Sequence, residues 1–275
     1  MYRHVVSLMV SSVEAEQGAF MTHPIFDLSG RRALVTGASR GIGQSIALAL
    51  AEAGADVAVT ARTIDGLEET RALIEKVGRR AVAFAQDVRD VGACGSVTGA
   101  AAERLGGLDI LVNNAGFENV RPSFDVDEAL WETIISTNLK GAFFCAQAAG
   151  RIMAEANGGA IVNLCSLTSY VGIPTAAPYG ASKSGLLGVT RALATEWAAH
   201  NIRVNAIAPG YFRTAMTEVF YEDEGWQQQM LGKIPQRRFG KESDIGGVAV
   251  FLCGDAAAYV TGHCIPVDGG YLASI

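Results

Sequence analysis

The stretch Ala33-Leu-Val-Thr-Gly37-Ala-Ser39-Arg40-Gly41-Ile42-Gly43 runs directly into Gln44-Ser-Ile-Ala-Leu-Ala-Leu50. A strand-length apolar run is followed by a glycine-rich turn and then by a helical apolar pattern. Glycines in such a turn allow a tight bend and let backbone N–H groups approach a pyrophosphate, whose charge is favoured at the positive end of the following helix. The residues predicted to form this cradle are Gly37, Ser39, Arg40, Gly41, Ile42 and Gly43. An ordinary glycine turn is the competing reading. The strand before and the helix after are the context the phosphate-binding mechanism requires.

The same alternation continues along the chain. Further apolar runs of strand length lie at Val57–Thr60, Ala81–Ala85, Ile110–Val112, Ile161–Leu164, Ile202–Ile207 and Ile265–Val267. They are nearly continuous in apolar character, as expected of parallel strands covered on both faces. Helix-length segments such as Ile42–Ala53, Leu67–Val77 and Ser182–His200 separate them. The pattern predicts an α/β fold, a doubly wound parallel sheet of about seven strands with helices on both faces. No linker or repeat divides the chain, so residues 24–275 are expected to form one catalytic domain. Residues 1–23 are expected to be a peripheral or disordered extension, with Met21 a possible natural start. The insert at about residues 211–240 carries Tyr211, Phe212, Phe220, Tyr221 and Trp226. Long inserts in compact domains are often functional, so a lid is expected there, with a packed helical excursion or an oligomer contact as the alternative.

Composition narrows the function. Of 275 residues, 49% are hydrophobic and 18% charged, which permits a large core and excludes a disordered chain. A formal net charge of −6 lacks the basic field that attracts a nucleic acid. No apolar run is long enough to span a membrane. The five cysteines (Cys94, Cys145, Cys165, Cys253, Cys264) form no C-x-x-C pair, and the four histidines show no metal-ligand spacing. Free thiols in a reducing cytoplasm and no metal site are expected.

The glycine spacing is T-G-x-x-x-G-x-G. Together with Asn113-Asn114-Ala115-Gly116, Asn138, Ser166, Tyr179-Gly-Ala-Ser-Lys183, Pro209-Gly210 and Asp268-Gly269-Gly270, it makes the chain from about Leu28 onward resemble the short-chain dehydrogenase/reductase family. The resemblance implies an NAD(P)-dependent oxidoreductase whose active site lies at the carboxyl ends of the strands. It also implies a role for each position. Ser166 orients and polarises the substrate oxygen, and Tyr179 donates or accepts its proton. Lys183 holds the nicotinamide ribose and tunes Tyr179, and Asn138 anchors a water that extends the proton path. Asn114, Ala115, Gly116, Tyr179, Lys183, Pro209, Gly210 and Thr214 would meet the cofactor, and Asp87-Val88 its adenine. For Asp87 a helix cap is the competing reading. For Asn113 and Asn114 it is a structural tie between loops.

Residue chemistry supports parts of this independently. Tyr179 and Lys183 stand four apart in a helical segment and so share one face. An ammonium beside a phenol favours the phenolate, which a base at neutral pH requires. The second strand ends Val59-Thr60-Ala61-Arg62, placing no carboxylate where an NAD enzyme commonly holds the ribose 2′-hydroxyl. Arg62 and Arg40 suit a 2′-phosphate instead, so NADP(H) is favoured, with NAD(H) also open and solvated surface charges as the competing reading.

The substrate is less legible. Glu196-Trp197-Ala198, Ile202-Arg203-Val204-Asn205, Pro209-Gly210-Tyr211-Phe212 and Asp268-Gly269-Gly270-Tyr271 resemble sugar-acid dehydrogenases of the gluconate 5-dehydrogenase type. A small sugar acid or polyol, interconverted between carbonyl and secondary alcohol, is therefore expected. Arg121 or Arg213 would meet its carboxylate, or both are surface charges. A 3-oxoacyl-(acyl-carrier-protein) reductase and a general ketone reductase are the rivals within the family. A non-catalytic NADP-binding sensor is the rival outside catalysis. Glu155 and Glu196 lie where carrier-docking reductases are basic, which argues against an acidic carrier. The resemblance further implies a homotetramer, with a dimer as the alternative, built on helices around Phe143–Arg151 and Ser182–His200.

Overall fold

The computed structural model describes residues 24–213 and 221–275. β1 (Arg32–Thr36) leads into α1 (Gly41–Glu52), and β2 (Asp56–Ala61) into α2 (Glu68–Lys76). β3 (Ala81–Ala85), α3 (Val91–Leu105), β4 (Ile110–Asn113) and α4 (Glu128–Ile135) follow. A π turn (Ser136–Gly141) joins α4 to α5 (Ala142–Glu155). β5 (Gly159–Leu164), α6 (Ala177–Trp197), β6 (Ile202–Pro209), α7 (Glu224–Lys233), α8 (Ser243–Cys253) and β7 (Cys264–Val267) complete the chain. The sheet is seven-stranded in the order β3-β2-β1-β4-β5-β6-β7, with every neighbouring pair parallel. The doubly wound expectation holds, strand for strand.

Alternate residues of each strand feed two separate cores, as the period of two dictates. Ala33, Val35, Val57, Val59 and Val112 pack beneath Ile46 and Leu50 of α1, Ile74 of α2, and Ile245 and Leu252 of α8. Leu34, Ala58, Leu111, Ile161 and Val204 pack against α3, α5 and α6 through Leu105, Met153 and Leu193. Burial on both faces explains why the strands read as continuous apolar runs. At the amino edge of the sheet the Arg32 guanidinium grips Asp109 through Nε at 2.7 Å and Nη2 at 2.9 Å. β1 and β4 are thereby fastened at the point where the strand order reverses.

Helix boundaries differ from expectation where local chemistry intervenes. The expected Ser182–His200 helix begins at Ala177, because Pro178 sits in the first turn, where no intrahelical N–H is needed. Its last residues, Ala198–His200, tighten into a 3-10 turn that ends on the left-handed Asn201 (φ 57°). The expected Leu67–Val77 helix opens as a 3-10 turn, Asp65–Leu67.

The 211–240 insert is tied at its neck. Phe212 bridges Gly240, and Gly240 N–H donates to the Tyr211 carbonyl at 2.9 Å. Within it, Tyr221 and Trp226 gather on Phe239, at ring separations of 4.7 and 6.1 Å. The expected Thr214 and Phe220, and the 1–23 extension, lie outside the described residues.

Gly141 ends the π turn hard against the main chain that follows β3. A methyl there would lie 2.6 Å from the Val88 carbonyl oxygen, which backbone cannot easily yield. Gly141→Ala is expected to cost about 1–3 kcal/mol by overpacking. A thermal melt should show a Tm lower by several degrees, and an unchanged Tm would refute the contact.

Candidate active site

The cofactor cradle forms where β1 and β4 end side by side. Thr36 Oγ1 accepts from the N–H groups of Asn114 and Ala115, both at 3.1 Å. The Asn114 amide donates back to the carbonyls of Thr36 and Gly37 at 3.0 and 2.9 Å. Gly37 (φ 66°) has to be glycine on two counts, since a methyl there would also meet Ala115 Cα at 2.7 Å. A methyl on the buried Gly43 would collide with the Asn114 amide and the Gly37 carbonyl. The Asn114 amide thus ties the loop after β4 to the glycine turn.

Arg40 is extended and exposed at the head of α1, and Arg62 is exposed just beyond β2. Neither side chain makes a hydrogen bond or ion pair with another described residue. Ser39 Cβ lies 3.5 Å from where a methyl on Gly66 would sit, so the loop after β2 folds over the glycine turn. The open cradle and two uncommitted guanidinium groups fit a dinucleotide carrying a 2′-phosphate. Asp87 is held by Arg89 at 2.5 and 3.0 Å, and the Arg89 side chain and backbone N–H hold its carboxyl below the usual carboxylate range. It does not cap α3; Asp90 does, accepting from Gly92 N–H at 2.8 Å. Val88 is buried and packs against Gly141. Pro209 ends β6, and Gly210 donates to the Val267 carbonyl at 2.9 Å.

The residues expected to react lie beside this cradle. Ser166, two residues past β5, opens a short 3-10 turn by accepting from Thr168 N–H at 3.2 Å. Tyr179 sits in the first turn of α6, and the Ser166 hydroxyl acts on its phenol. Lys183, one turn later, is buried and donates to the Leu164 carbonyl at 2.6 Å, with Nζ 5.6 Å from the Tyr179 ring centre. Burial pushes the Tyr179 phenol well above its ordinary value; the charge of Glu118 adds to this and the Ser166 contact opposes it. Burial pulls Lys183 down, against the charges of Cys165 and Glu118. Lys183 therefore faces the ring of Tyr179, and desolvation governs the phenol in the protein alone, not the ammonium expected to activate it.

Asn138 lies in the π turn between α4 and α5. π turns are rare and concentrate at functional sites. Its side chain accepts from Phe117 N–H at 2.8 Å and donates to the Phe117 carbonyl at 2.9 Å and to Ser182 Oγ at 3.1 Å. Asn138 thus clamps the chain leaving β4 over Lys183. Beneath it, Asn113 donates to Asn163 at 2.9 Å and to the Ala142 carbonyl at 3.0 Å, and Asn163 donates to Thr190 at 2.9 Å. This buried ladder ties β4, β5, α5 and α6 under the site.

A family model described as enoyl-(acyl carrier protein) reductase matches residues 37–272. The 2-dehydro-3-deoxy-D-gluconate 5-dehydrogenase of Bacillus subtilis is 44% identical over 253 residues, 91% of this chain and 98% of the relative. The chain belongs to the short-chain dehydrogenase/reductase family. A 3-oxoacyl-(acyl-carrier-protein) reductase of Staphylococcus aureus is 41% identical over 243 residues, 87% of this chain and 97% of that one. Among solved structures, a chain from Sinorhizobium meliloti described as a candidate short-chain alcohol dehydrogenase is 90% identical, with a TM-score of 0.90 over 92% of this chain and all of that one. A gluconate 5-dehydrogenase from Burkholderia cenocepacia, in complex with NADP and tartrate, is 34% identical, with a TM-score of 0.89 over 92% of this chain and 99% of that one. Like its family, the chain is an oxidoreductase that acts on a carbonyl/alcohol pair.

Within that family frame, the structure places the expected glycine turn between β1 and α1 and brings the expected Lys183 to 5.6 Å from the Tyr179 ring centre. Sequence reasoning did not name Glu118, whose charge acts on Tyr179 and Lys183; it stands two residues beyond Asn113-Asn114-Ala115-Gly116. The Arg121 side chain is paired to Asp127 at 2.9 Å, and Arg213 lies 5.9 Å from the Tyr221 ring centre. Among the described residues no cluster of three metal-ligating side chains occurs, and no helix is long and apolar enough to cross a membrane. All five cysteines are free.

The Asn138 clamp has a direct readout. Asn138→Ala removes both partners of Phe117 and is expected to destabilise the protein by about 1–3 kcal/mol. Hydrogen exchange at the Phe117 amide should quicken well beyond that of its neighbours, and unchanged exchange there would discount the clamp.

Proposed function

We propose that the protein is an NADP(H)-dependent dehydrogenase that interconverts a secondary alcohol and a ketone on a small sugar acid. The observation that carries this reading is the convergence of Ser166, Tyr179 and Lys183 beside a cradle flanked by the uncommitted Arg40 and Arg62. Gly37, Ser39, Arg40, Gly41, Ile42 and Gly43 would hold the pyrophosphate end, Arg40 and Arg62 the 2′-phosphate, and Asp87 and Val88 the adenine. Tyr179, Lys183, Pro209, Gly210 and Thr214 would hold the nicotinamide end, with Asn114, Ala115 and Gly116 lining the way between. When bound, the nicotinamide supplies or takes the hydride, and the protein contributes orientation and electrostatics.

Ser166 fixes the substrate oxygen by a hydrogen bond. Tyr179, sharing that oxygen, gives a proton in reduction and takes one in oxidation. Lys183, held by the Leu164 carbonyl, positions the ribose and relays the proton toward a water at the π turn of Asn138. The 211–240 insert closes over the substrate from its tied neck. The sugar-acid assignment draws on the names of the relatives with the same machinery. The acyl-carrier reading draws on the 41% identity to such a reductase, but Glu155 and Glu196 are exposed and would repel an acidic carrier. Residence in the cytoplasm and assembly as a homotetramer through α5 and α6 complete the proposal.

The pH dependence follows from Tyr179. Its phenol is raised, so the protonated form needed for reduction persists through neutrality, while alcohol oxidation gains as pH rises and the phenolate forms. Tyr179→Phe is expected to lower both directions by about 10²–10⁴-fold; initial rates from pH 6 to about pH 10 would expose an oxidation profile that fails to climb. Arg62→Asp should weaken NADPH binding by about 10- to 100-fold and leave NADH little changed. Fluorescence titration showing equal losses for both cofactors would remove the 2′-phosphate assignment.

A further inference from the structure

Ser182 stands immediately before Lys183 in α6 and is fully buried. A hydroxyl enclosed in this way needs partners, because burial without them is costly. Ser182 Oγ donates to the Tyr179 carbonyl at 2.7 Å and accepts from the Asn138 amide nitrogen at 3.1 Å. A serine hydroxyl has a single proton to give, and here its direction is settled by Asn138. That side chain turns its oxygen to the Phe117 N–H, at 2.8 Å, so it meets Ser182 as a donor and leaves the Ser182 proton for Tyr179.

A single polarised chain results, from the Phe117 N–H through the Asn138 amide and the Ser182 hydroxyl to the Tyr179 carbonyl. Hydrogen bonds arranged in this way strengthen one another. In an α-helix the carbonyl of residue 179 also receives the N–H of residue 183. Ser182 therefore bears on the main-chain oxygen that joins the turn of Tyr179 to the turn of Lys183. The Lys183 ammonium is held separately, on the Leu164 carbonyl at 2.6 Å. The same device recurs eight residues along α6. Thr190, also fully buried, donates to the Leu186 carbonyl at 2.8 Å and accepts from the Asn163 amide at 2.9 Å. That lower copy ties α6 to β5. The upper copy differs in what it reaches: the π turn on one side and the main chain of Tyr179 on the other.

We propose that Ser182 is a positioning residue for the proton step: through its hydroxyl the π turn holds the main chain of Tyr179, and with it the offset between the Tyr179 phenol and the Lys183 ammonium. The proposal rests on Tyr179 and Lys183 being the reacting pair. Removing the hydroxyl leaves one N–H of Asn138 without its acceptor and takes one bond from the Tyr179 carbonyl. The segment over Lys183 feels the same loss, since a methyl at Gly116 would lie 3.7 Å from Lys183 Nζ and 3.6 Å from Asn138 Oδ1. The chemical step is therefore slowed more than cofactor binding is weakened.

The first measurement needs no substrate. Amide hydrogen exchange on the full chain should show the Phe117 N–H, which Ser182 does not touch, exchanging about 10-fold faster in Ser182→Ala. Thr190→Val, which breaks the lower copy, should leave Phe117 within about twofold of wild type. The second measurement follows NADPH-coupled reduction of 5-ketogluconate. In Ser182→Ala, kcat is expected to fall about 10-fold with the KM for NADPH little changed. Ser182→Cys, which still gives and takes a weak hydrogen bond, should recover part of the rate. The double variant with Asn138→Ala should be no slower than Asn138→Ala alone, because both cut one chain. Tm of each variant, set beside that of Thr190→Val, separates lost positioning from a damaged fold. Unchanged exchange at Phe117, an unchanged kcat, or losses at Ser182 and Asn138 that multiply would overturn the proposal. Tyr179→Phe that keeps its rate would strike the reacting-pair reading on which the proposal rests. Wild type inactive on this ketone would count against the sugar-acid reading alone, and the exchange result then decides.

Discussion

The site depends on the interlock between the ends of β1 and β4. Two N–H groups of the Asn114-Ala115 turn converge on one threonine hydroxyl, while the Asn114 amide reaches back to two carbonyls of the glycine loop. In a parallel sheet whose strand order reverses here, the loops diverge to opposite faces and leave a crevice. The interlock sets how wide that crevice is. It also forbids side chains at Gly37 and Gly43, so the glycines serve packing between loops as much as approach to a phosphate.

The candidate reacting groups depend on a second layer of polar contacts. Lys183 is anchored on the last carbonyl of β5, one residue before Cys165 and two before Ser166. The Asn113, Asn163, Thr190 ladder fixes β4 and β5 to α6 from below, and Asn138 fixes the segment above. Buried polar groups are costly when unpaired and rigid when paired. Here most are paired, so Ser166, Tyr179 and Lys183 are held by the core and not by surface loops.

The fold was legible because both faces of each strand are buried, which leaves continuous apolar runs that survive any error in boundaries. The cradle and Tyr179–Lys183 were legible because their chemistry demands fixed local spacing. The π turn was not, since Ser136–Gly141 carries no residue that distinguishes it from an ordinary helix. Nor was the state of Tyr179: a spacing of four puts an ammonium near a phenol but does not tell that burial outweighs it. Asn138 and Asn114 were visible as positions, yet their partners, a backbone segment 21 residues away and a loop 77 to 78 residues away, come only from the tertiary structure. Glu118 stayed hidden for the same reason.

The neck of the 211–240 insert closes on itself, with Phe212 against Gly240 and the Tyr211 carbonyl bonded to the Gly240 amide. The insert is also laced to the segment after β7: Gln236 N–H donates to the Gly269 carbonyl at 3.1 Å, Ser274 Oγ donates to the Lys233 carbonyl at 3.3 Å, and the rings of Tyr211 and Tyr271 meet edge to face at 5.3 Å. A change of length or sequence in the insert is therefore felt in the segment after β7, and the two stretches are constrained to vary together.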